Sequence, residues 1–218
     1  MWEKANFLMS VNYLIHDEMY REARAKGWHG WGGNERMARE HILLERLFSF
    51  KGLPRSGSVL ELGCGEGHYC RRLSAKGYSV TGVDVSQTAI TWAIEKTNPA
   101  DDVNYFVCDL TEHGALENRT FALIVDGNCL HCIIGDDRLV FLRNVHQALK
   151  KDGIFFISSL CSSSGEDEII ERNGTPYRTV LSYQSLLAEL ETAAFHVEKS
   201  VFHQGKTTSH CTAHMSKR

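Results

Sequence analysis

From residue 58 onward, short apolar segments alternate with amphipathic ones. The apolar segments predict five strands, at 58–62, 78–83, 103–107, 121–125 and 153–160. The amphipathic segments predict helices over about 66–77, over 136–149, and from the capping residue Ser86 to about Thr97. Because strands that are apolar on both faces need a cover on each side, this order predicts a parallel sheet between two layers of helices.

The last part of the sequence follows a different pattern. Ser182 is a suitable cap for a helix over 182–194, and two strand-like segments follow it, at 195–203 and 207–215, with Gln204-Gly205-Lys206 between them. A turn this short joins antiparallel strands. The predicted fold class is therefore α/β: a doubly wound seven-stranded sheet, mostly parallel, with a C-terminal antiparallel hairpin and an N-terminal helical extension.

The first 50 residues are predicted to be helical. Asn34 is a suitable N-cap for a helix that Gly52 and Pro54 end. The apolar positions of this helix recur with helical spacing at Met37, Leu43, Leu44, Leu47 and Phe48. We therefore expect one structural domain, made of an N-terminal cap or lid at 1–56 and a core at 57–218.

Composition excludes several classes of protein. The chain has 218 residues, 43% of them hydrophobic, and its 24 basic and 27 acidic side chains give a net charge of −3. A nucleic-acid partner held by a basic surface is therefore not expected. The apolar segments are far shorter than the ~20 residues of a membrane span, and the N-terminus, with Glu3, does not have the pattern of a signal peptide. We expect a cytoplasmic protein, monomeric or homodimeric, without a membrane partner.

The seven cysteines are an odd number without a framework spacing, which is typical of reduced thiols. Cys129 and Cys132 form one C-x-x-C pair, and a zinc site would need further ligands from His210, Cys211 or His214. Packing of free thiols is the preferred interpretation, so no metal is predicted.

A glycine-rich turn lies directly between the first predicted strand and its helix, in the sequence Glu61-Leu62-Gly63-Cys64-Gly65-Glu66-Gly67. Glycines at this place let the chain turn tightly and let a ligand approach backbone N–H groups. Two further acids follow the second and third strands, at Asp84 and Asp109. The G-x-G-x-G spacing differs from the G-x-G-x-x-G of dinucleotide-binding proteins, because His68 takes the place of the third glycine.

These segments resemble the class I (Rossmann-like) S-adenosylmethionine-dependent methyltransferases. VLELGCGEG is similar to the first motif of that family, VTGVDVS to the second and CDL to the third, and FALIVDGNCLHCI and ALKKDGIFFISSL are similar to its fourth- and fifth-strand segments. Lys151-Asp152-Gly153 departs from the family's Pro-Gly-Gly turn. The resemblance covers about 57–215.

The resemblance implies S-adenosylmethionine as cofactor and S-adenosylhomocysteine as product. It places Glu61, Gly63, Cys64 and Gly65 at the methionine end, Asp84 at the ribose, and Val85 against the adenine. Asp109 and Leu110 would fix the adenine amino group, and Asp126 and Gly127 would face the methionine amino group and the sulfonium. Class I sites lie at the carboxyl ends of the strands, where these residues fall.

Two interpretations stay open for the residues near the acceptor. His131 is either a general base or a histidine packed against the end of the sheet. Tyr20, Trp28 and Trp31 lie in the glycine- and aromatic-rich segment 20–33, which is either a lid over the acceptor or a tucked-in structural segment. The polar segment 161–177 is expected to form a second rim.

The predicted function is methyl transfer to a small-molecule acceptor, by in-line displacement at the sulfonium under the aromatic lid. Three alternatives are a redox enzyme using a dinucleotide, a metalloid- or thiol-modifying methyltransferase, and a non-catalytic cofactor-binding module.

Overall fold

The computed structural model describes residues 11–33, 41–205 and 208–218. Asn34, Met37 and Lys206, used above to predict a cap, a helix position and a turn, lie outside these ranges.

The described helices are α1 (Ile15–Ala25), α2 (His41–Phe48), α3 (His68–Ser74), α4 (Gln87–Lys96), α5 (Asp137–Ala148) and α6 (Tyr183–Thr192), with one 3-10 turn at Leu130–Cys132. The strands are β1 (Gly57–Leu62), β2 (Tyr78–Asp84), β3 (Val103–Val107), β4 (Phe121–Gly127), β5 (Leu149–Cys161), β6 (Glu168–Arg172), β7 (Thr175–Val180), β8 (Phe195–His203) and β9 (Ser209–Lys217).

Seven of these strands form one sheet in the order β3-β2-β1-β4-β5-β9-β8. Strands β1 to β5 pair in parallel, whereas β9 pairs antiparallel with β5 on one side and β8 on the other. The predicted fold class is therefore confirmed, including the C-terminal antiparallel hairpin. Within the described ranges, no helix has the length and apolar character needed to span a membrane.

The alternation of side chains along the strands explains why both faces of the sheet are covered. Successive residues of one strand belong to different apolar clusters: Phe155 lies in one cluster and Phe156 in the other, and Leu60 and Val59 divide in the same way. Helices α5 and α6 cover the first face, and α2 and α3 cover the second. Burial of each such side chain contributes about 1.5–3 kcal/mol, so neither face is stable without its helices.

Two helix starts agree with the prediction and one differs. The Ser86 and Ser182 side chains accept hydrogen bonds from the N–H groups of Ala89 and Ser185, so both serines cap their helices as expected. Helix α3 begins only at His68 rather than near residue 66, because Gly67 has a left-handed backbone (φ 78°) and extends the preceding turn.

The segment 161–177 contains an element that was not predicted. Strands β6 and β7 form a separate antiparallel hairpin, joined by Asn173 and Gly174, both with positive φ (54° and 74°). An Asn-Gly pair between two alternating segments is a strong hairpin signal, so the sequence does carry the information. The hairpin folds over α1, where the Tyr177 ring stacks on the His16 ring at 5.4 Å between centroids.

Candidate active site

Two adjoining clefts open at the carboxyl ends of β1, β2 and β4. The larger encloses about 720 Å³ of space open to solvent, and the smaller encloses about 420 Å³. They share Tyr20, Trp31, Gly63 and Gly127 in their linings, so they form one continuous channel. Parallel sheets bind ligands at this edge.

The glycine turn after β1 forms the floor of the channel. Gly63 and Gly65 both have left-handed backbones (φ 61° and 56°). A Cβ atom on Gly63 would lie 3.0 Å from Cβ and Sγ of Cys129, and one on Gly65 would lie 2.7 Å from the Tyr20 hydroxyl oxygen. Both conformation and space therefore require glycine here. Cys64, which lines the smaller cleft, donates its N–H to Val83 O at 2.9 Å and ties the turn to β2.

Asp84, at the end of β2, is buried and held by the turn. Its Oδ2 accepts the Gly65 N–H and its Oδ1 accepts the Ser86 N–H, each at 2.9 Å. Burial raises the pKa of this carboxyl to about 6, although the bonds from Ser86 and Gly65 and a further one from the Tyr20 hydroxyl lower it. At neutral pH the group is thus mostly a carboxylate, and it lines the larger cleft.

Glu61 lines the smaller cleft and has unmet hydrogen-bonding capacity. Its side chain is 2% exposed, and its Oε2 atom has no hydrogen-bond partner among the described residues. Burial and the nearby Glu66 carboxylate raise the pKa of Glu61 to about 8, while a hydrogen bond from the Cys70 thiol lowers it. Leaving a buried carboxylate oxygen unpaired is costly, so this side chain is suited to a cationic or N–H ligand.

Asp109, Leu110 and Val85 line the far end of the larger cleft. Asp109 Oδ1 accepts hydrogen bonds from the N–H (2.9 Å) and the hydroxyl (2.6 Å) of Thr111, which fixes the carboxylate in a turn just after β3. The channel therefore has carboxylates at three successive places, Glu61, Asp84 and Asp109.

Asp126 and Gly127, predicted as a pair, have different surroundings. Gly127 lines both clefts, whereas Asp126 lines neither and is fully buried. Both Asp126 oxygens accept backbone N–H groups, from Cys129 at 2.6 Å and Leu130 at 2.8 Å. Asp126 therefore holds the 3-10 turn behind the clefts, and its contact with a cofactor stays a prediction.

His131 is also placed behind the cleft. It is 3% exposed, it is absent from the linings of both clefts, and the Leu160 N–H points to its Nδ1 at 3.4 Å. Of the two interpretations, this geometry favours packing against the end of the sheet.

The aromatic segment divides between the cleft and the surface. Tyr20 and Trp31 line both clefts. Trp28 lines neither; it is 38% exposed, and the Lys26 ammonium lies 5.0 Å from its ring centroid. The lid hypothesis therefore applies to two of the three predicted residues.

Helix α1 is anchored by hydrogen bonds to the elements around the clefts. Asp17 Oδ1 accepts hydrogen bonds from the Ser86 hydroxyl at 2.7 Å and the Thr88 N–H at 2.9 Å. Further along, Lys96 donates to Glu66 Oε2 at 2.9 Å and also to the carbonyl of His29. The segment that carries Tyr20 and Trp31 is thus tied both to α4 and to the glycine turn.

Several lining residues were missed from the sequence, namely Tyr13, His16, Cys108, Asn128, Cys129, Cys132 and Ile133 of the larger cleft, and Gly30, Glu66, His68 and Tyr69 of the smaller. Tyr13 donates its hydroxyl proton to Asp137 Oδ2 at 2.8 Å and accepts the Ile134 N–H at 3.1 Å. Spacing offers a signal for part of the set, because residues 13, 16 and 20 lie three and four positions apart, as on one face of a helix.

The thiols show no metal-site geometry. All seven cysteines are free, and in the described part of the chain no three His, Cys, Asp or Glu side chains are grouped so as to hold a metal ion. Burial raises the pKa of the Cys129 thiol well above its usual value. His214 lies elsewhere, with Nε2 at 2.8 Å from Leu47 O.

The fold and the channel define a Rossmann-like protein with a ligand site at the carboxyl ends of its strands. Comparison with known proteins adds the family. Residues 60–157 match the methyltransferase domain family. A relative from Bacillus subtilis (strain 168), YqeM, which carries a methyltransferase name, is 28% identical over 103 residues, covering 47% of this chain and 42% of that protein. The match thus spans less than half the length of this relative.

Two solved structures share the fold. A TehB-like S-adenosylmethionine-dependent methyltransferase from Corynebacterium glutamicum is 22% identical, with a TM-score of 0.61 over 94% of this chain and 97% of that one. The 1,6-didemethyltoxoflavin-N1-methyltransferase of Burkholderia thailandensis is 21% identical, with a TM-score of 0.66 over 93% and 90%. The chain therefore shares the fold of these methyltransferases, and its residues 60–157 match the methyltransferase domain family.

Proposed function

We propose that this protein transfers a methyl group from S-adenosylmethionine to a small-molecule acceptor. The observation that carries the proposal is the row of three carboxylates, Glu61, Asp84 and Asp109, along one channel floored by the glycine turn. The unpartnered Glu61 oxygen gives the fit an independent support, because a methionine amino group supplies the cation it lacks. The family match at 60–157 covers the same segments.

In this proposal each end of the cofactor has its own residues. Glu61 binds the amino group, and Gly63, Cys64, Gly65 and Gly127 allow the methionine part to lie against backbone. At the other end, Asp84 accepts the ribose hydroxyls, Asp109 accepts the adenine amino group, and Val85 and Leu110 pack on the ring. When bound, S-adenosylmethionine would supply an activated methyl group: an acceptor lone pair would form a bond to the methyl carbon while the methyl C–S bond breaks, and the neutral thioether would leave.

The remaining residues of the larger cleft would bind and orient the acceptor. Tyr20 and Trp31 line both clefts, and in this proposal they exclude water from the place where the clefts meet. Displacement at an activated sulfonium depends chiefly on positioning and desolvation of the acceptor. His131 is given no contact with the acceptor, since it does not line the cleft.

A small acceptor is supported by the size of the space. The larger cleft, at about 720 Å³ including its open mouth, must also hold the adenosine part of the cofactor. The Burkholderia thailandensis structure with the same fold was solved with the small molecule 1,6-didemethyltoxoflavin.

Calorimetric titration of the full chain with S-adenosylhomocysteine and, separately, with NAD tests the cofactor assignment. We expect S-adenosylhomocysteine to bind and NAD not to bind. The reverse order of affinity would favour the dinucleotide-dependent alternative and overturn the proposal.

Incubation with S-adenosylmethionine and a panel of small acceptors then tests turnover. We expect release of S-adenosylhomocysteine together with a product heavier by one CH₂ group. Tight cofactor binding without product across oxygen, nitrogen, sulfur and carbon nucleophiles would favour the non-catalytic binding module.

A further inference from the structure

The β6–β7 hairpin places two arginines close to α1 and to residues that line the larger cleft. Arg172 ends β6, where its Nη1 lies 3.2 Å from Met19 Sδ of α1. Arg178 is in the middle of β7, next to Tyr177, whose ring stacks on His16. His16 lines the larger cleft, so the hairpin packs against the outer side of this lining, although none of the hairpin's own residues line either cleft.

The Arg178 guanidinium is held between two aromatic rings. Its central carbon lies 4.8 Å from the Tyr177 centroid and 5.8 Å from the Trp31 centroid. Trp31 lines both clefts, so the partly exposed Arg178 lies next to the cleft lining. Stacking fixes the plane of a guanidinium and prepares its N–H groups for a bidentate partner.

In the described part of the chain, Arg178 has no anionic partner. Its buried Nε atom has no hydrogen-bond partner there, and no carboxylate pairs with Arg178 or Arg172. In contrast, Arg138 makes two bonds of 2.6 Å to Glu189, and Arg71 binds Glu66 at 2.7 Å. Leaving a buried charged donor unpaired costs more than leaving a neutral one unpaired.

The charges of Arg172 and Arg178 also affect His16, a residue of the cleft lining. Burial and the charges of Arg178 and Arg172 lower the pKa of His16 to about 4. The His16 imidazole is therefore neutral at physiological pH, and the two arginines supply the positive charge next to this side of the larger cleft.

We propose that the acceptor carries a carboxylate or phosphate group, and that the Arg178 guanidinium binds this group where the acceptor extends past Trp31 and His16 out of the larger cleft. Arg172 adds a second, more distant positive charge. The proposal rests on the proposed methyltransferase function and deepens it, because it names the chemical class of the acceptor. A purely structural role, in which Arg178 only supports Trp31 by cation–π contact, is the competing interpretation.

The test uses matched acid and amide probes on the full chain saturated with S-adenosylhomocysteine. Benzoate is compared with benzamide, hexanoate with hexanamide, and phenyl phosphate with phenol, by calorimetric or NMR titration. We expect at least one anion to bind about tenfold or more tightly than its neutral counterpart, as a charge-assisted hydrogen bond implies. The phosphate and carboxylate arms show which anion the site prefers.

Variants decide which side chain is responsible. Arg178→Met should remove the preference for the anion, Arg178→Lys should keep part of it, and the exposed helix variant Arg143→Met should leave it unchanged. Equal binding of anions and neutral probes in the wild-type protein, or a preference that survives in Arg178→Met, would overturn the proposal. If the methionine variant does not fold, the lysine variant is the remaining test, and an anion preference that is unchanged in Arg178→Lys would contradict the proposal.

The affinity for S-adenosylhomocysteine, measured on the same samples, separates this proposal from the one on which it rests. Wild-type protein that fails to bind S-adenosylhomocysteine contradicts the methyltransferase function. Normal S-adenosylhomocysteine binding with no preference for anions contradicts only the role of Arg178.

Discussion

Replacing Glu61 with glutamine should stabilise the free protein and weaken its binding of S-adenosylhomocysteine. The change keeps the shape of the side chain but removes a buried negative charge whose Oε2 atom has no partner among the described residues. Without ligand, ionisation of Glu61 destabilises the folded protein, because burial raises the pKa of its carboxyl from the usual 4.5 to about 8. With ligand, the same charge pairs with the amino group.

The effect on stability follows from proton linkage. Because the folded pKa is raised, the stability associated with Glu61 is fully present below about pH 4.5 and is lost as the pH rises to about 8. At ~1.4 kcal/mol for each pH unit, the loss at pH 7 is about 3 kcal/mol. A buried glutamine amide recovers only part of this, since it also has unmet hydrogen bonds. We expect Glu61→Gln to raise the free energy of unfolding at pH 8 by about 1–3 kcal/mol.

The effect on binding has the opposite sign. Loss of a charge-assisted hydrogen bond of about 1.5–3 kcal/mol weakens the affinity for S-adenosylhomocysteine by roughly 10- to 150-fold. Since the ligand amine binds the ionised carboxylate, wild-type affinity should also rise from pH 6.5 to pH 8. In Glu61→Gln this rise should be much smaller.

Denaturant unfolding and calorimetry at pH 6.5 and pH 8 measure both effects on the same samples. The control is Glu117→Gln, which removes an exposed carboxylate outside the clefts and should change neither quantity. A Glu61→Gln protein that binds S-adenosylhomocysteine as tightly as the wild type at pH 8 refutes the placement of the amino group. A protein that is destabilised at pH 8 refutes the linkage reasoning.

Four further changes test other parts of the site. Asp84→Ala should weaken S-adenosylhomocysteine binding at least tenfold in calorimetry, as expected for charge-assisted bonds of about 1.5–3 kcal/mol to the ribose hydroxyls; unchanged affinity removes the ribose assignment. Gly65→Ala should lower the free energy of unfolding, measured by thermal unfolding, by about 1–2 kcal/mol, because a left-handed backbone disfavours a side chain. It should also reduce S-adenosylhomocysteine binding, because its Cβ meets the Tyr20 hydroxyl. Trp31→Ala should lower kcat/KM far more than Trp28→Ala in a coupled assay for S-adenosylhomocysteine, and equal losses would contradict a lid formed by Trp31. Asp17→Ala should weaken S-adenosylhomocysteine binding several-fold in calorimetry, whereas Asp17→Asn, which keeps an acceptor oxygen, should have a smaller effect.

The sheet could be predicted because its information is local and periodic. Each parallel strand is a continuous apolar segment between amphipathic ones, and serines at 86 and 182 mark helix starts by a hydrogen bond within one turn. Several residues that line the clefts could be predicted for the same reason. Gly63, Asp84 and Asp109 each lie at or just after the end of a strand, and parallel strands bring their carboxyl ends to one edge.

The acceptor end depends on contacts between distant segments, which a single sequence does not show. His16 reaches the cleft because α1 packs between α4 and a hairpin more than 150 residues further along the chain. Tyr13 is fixed by Asp137, and Met19 by Arg172 and Tyr177. Asp126 and His131 also lie at the carboxyl end of a strand, yet neither lines the clefts, because backbone N–H groups hold the Asp126 carboxylate and His131 is buried.

These contacts connect helix α1, which carries Tyr20, to the proposed cofactor site through a chain of hydrogen bonds. Asp17 binds the Ser86 hydroxyl, the Ser86 N–H binds Asp84, and Asp84 accepts the Gly65 N–H. The Tyr20 hydroxyl also bonds to Asp84. A lid that served only the acceptor could be removed with little effect on cofactor affinity. Here, removal of α1 takes the hydrogen bonds of Asp17 and Tyr20 from the segment proposed to bind the ribose, so cofactor affinity and turnover should fall together.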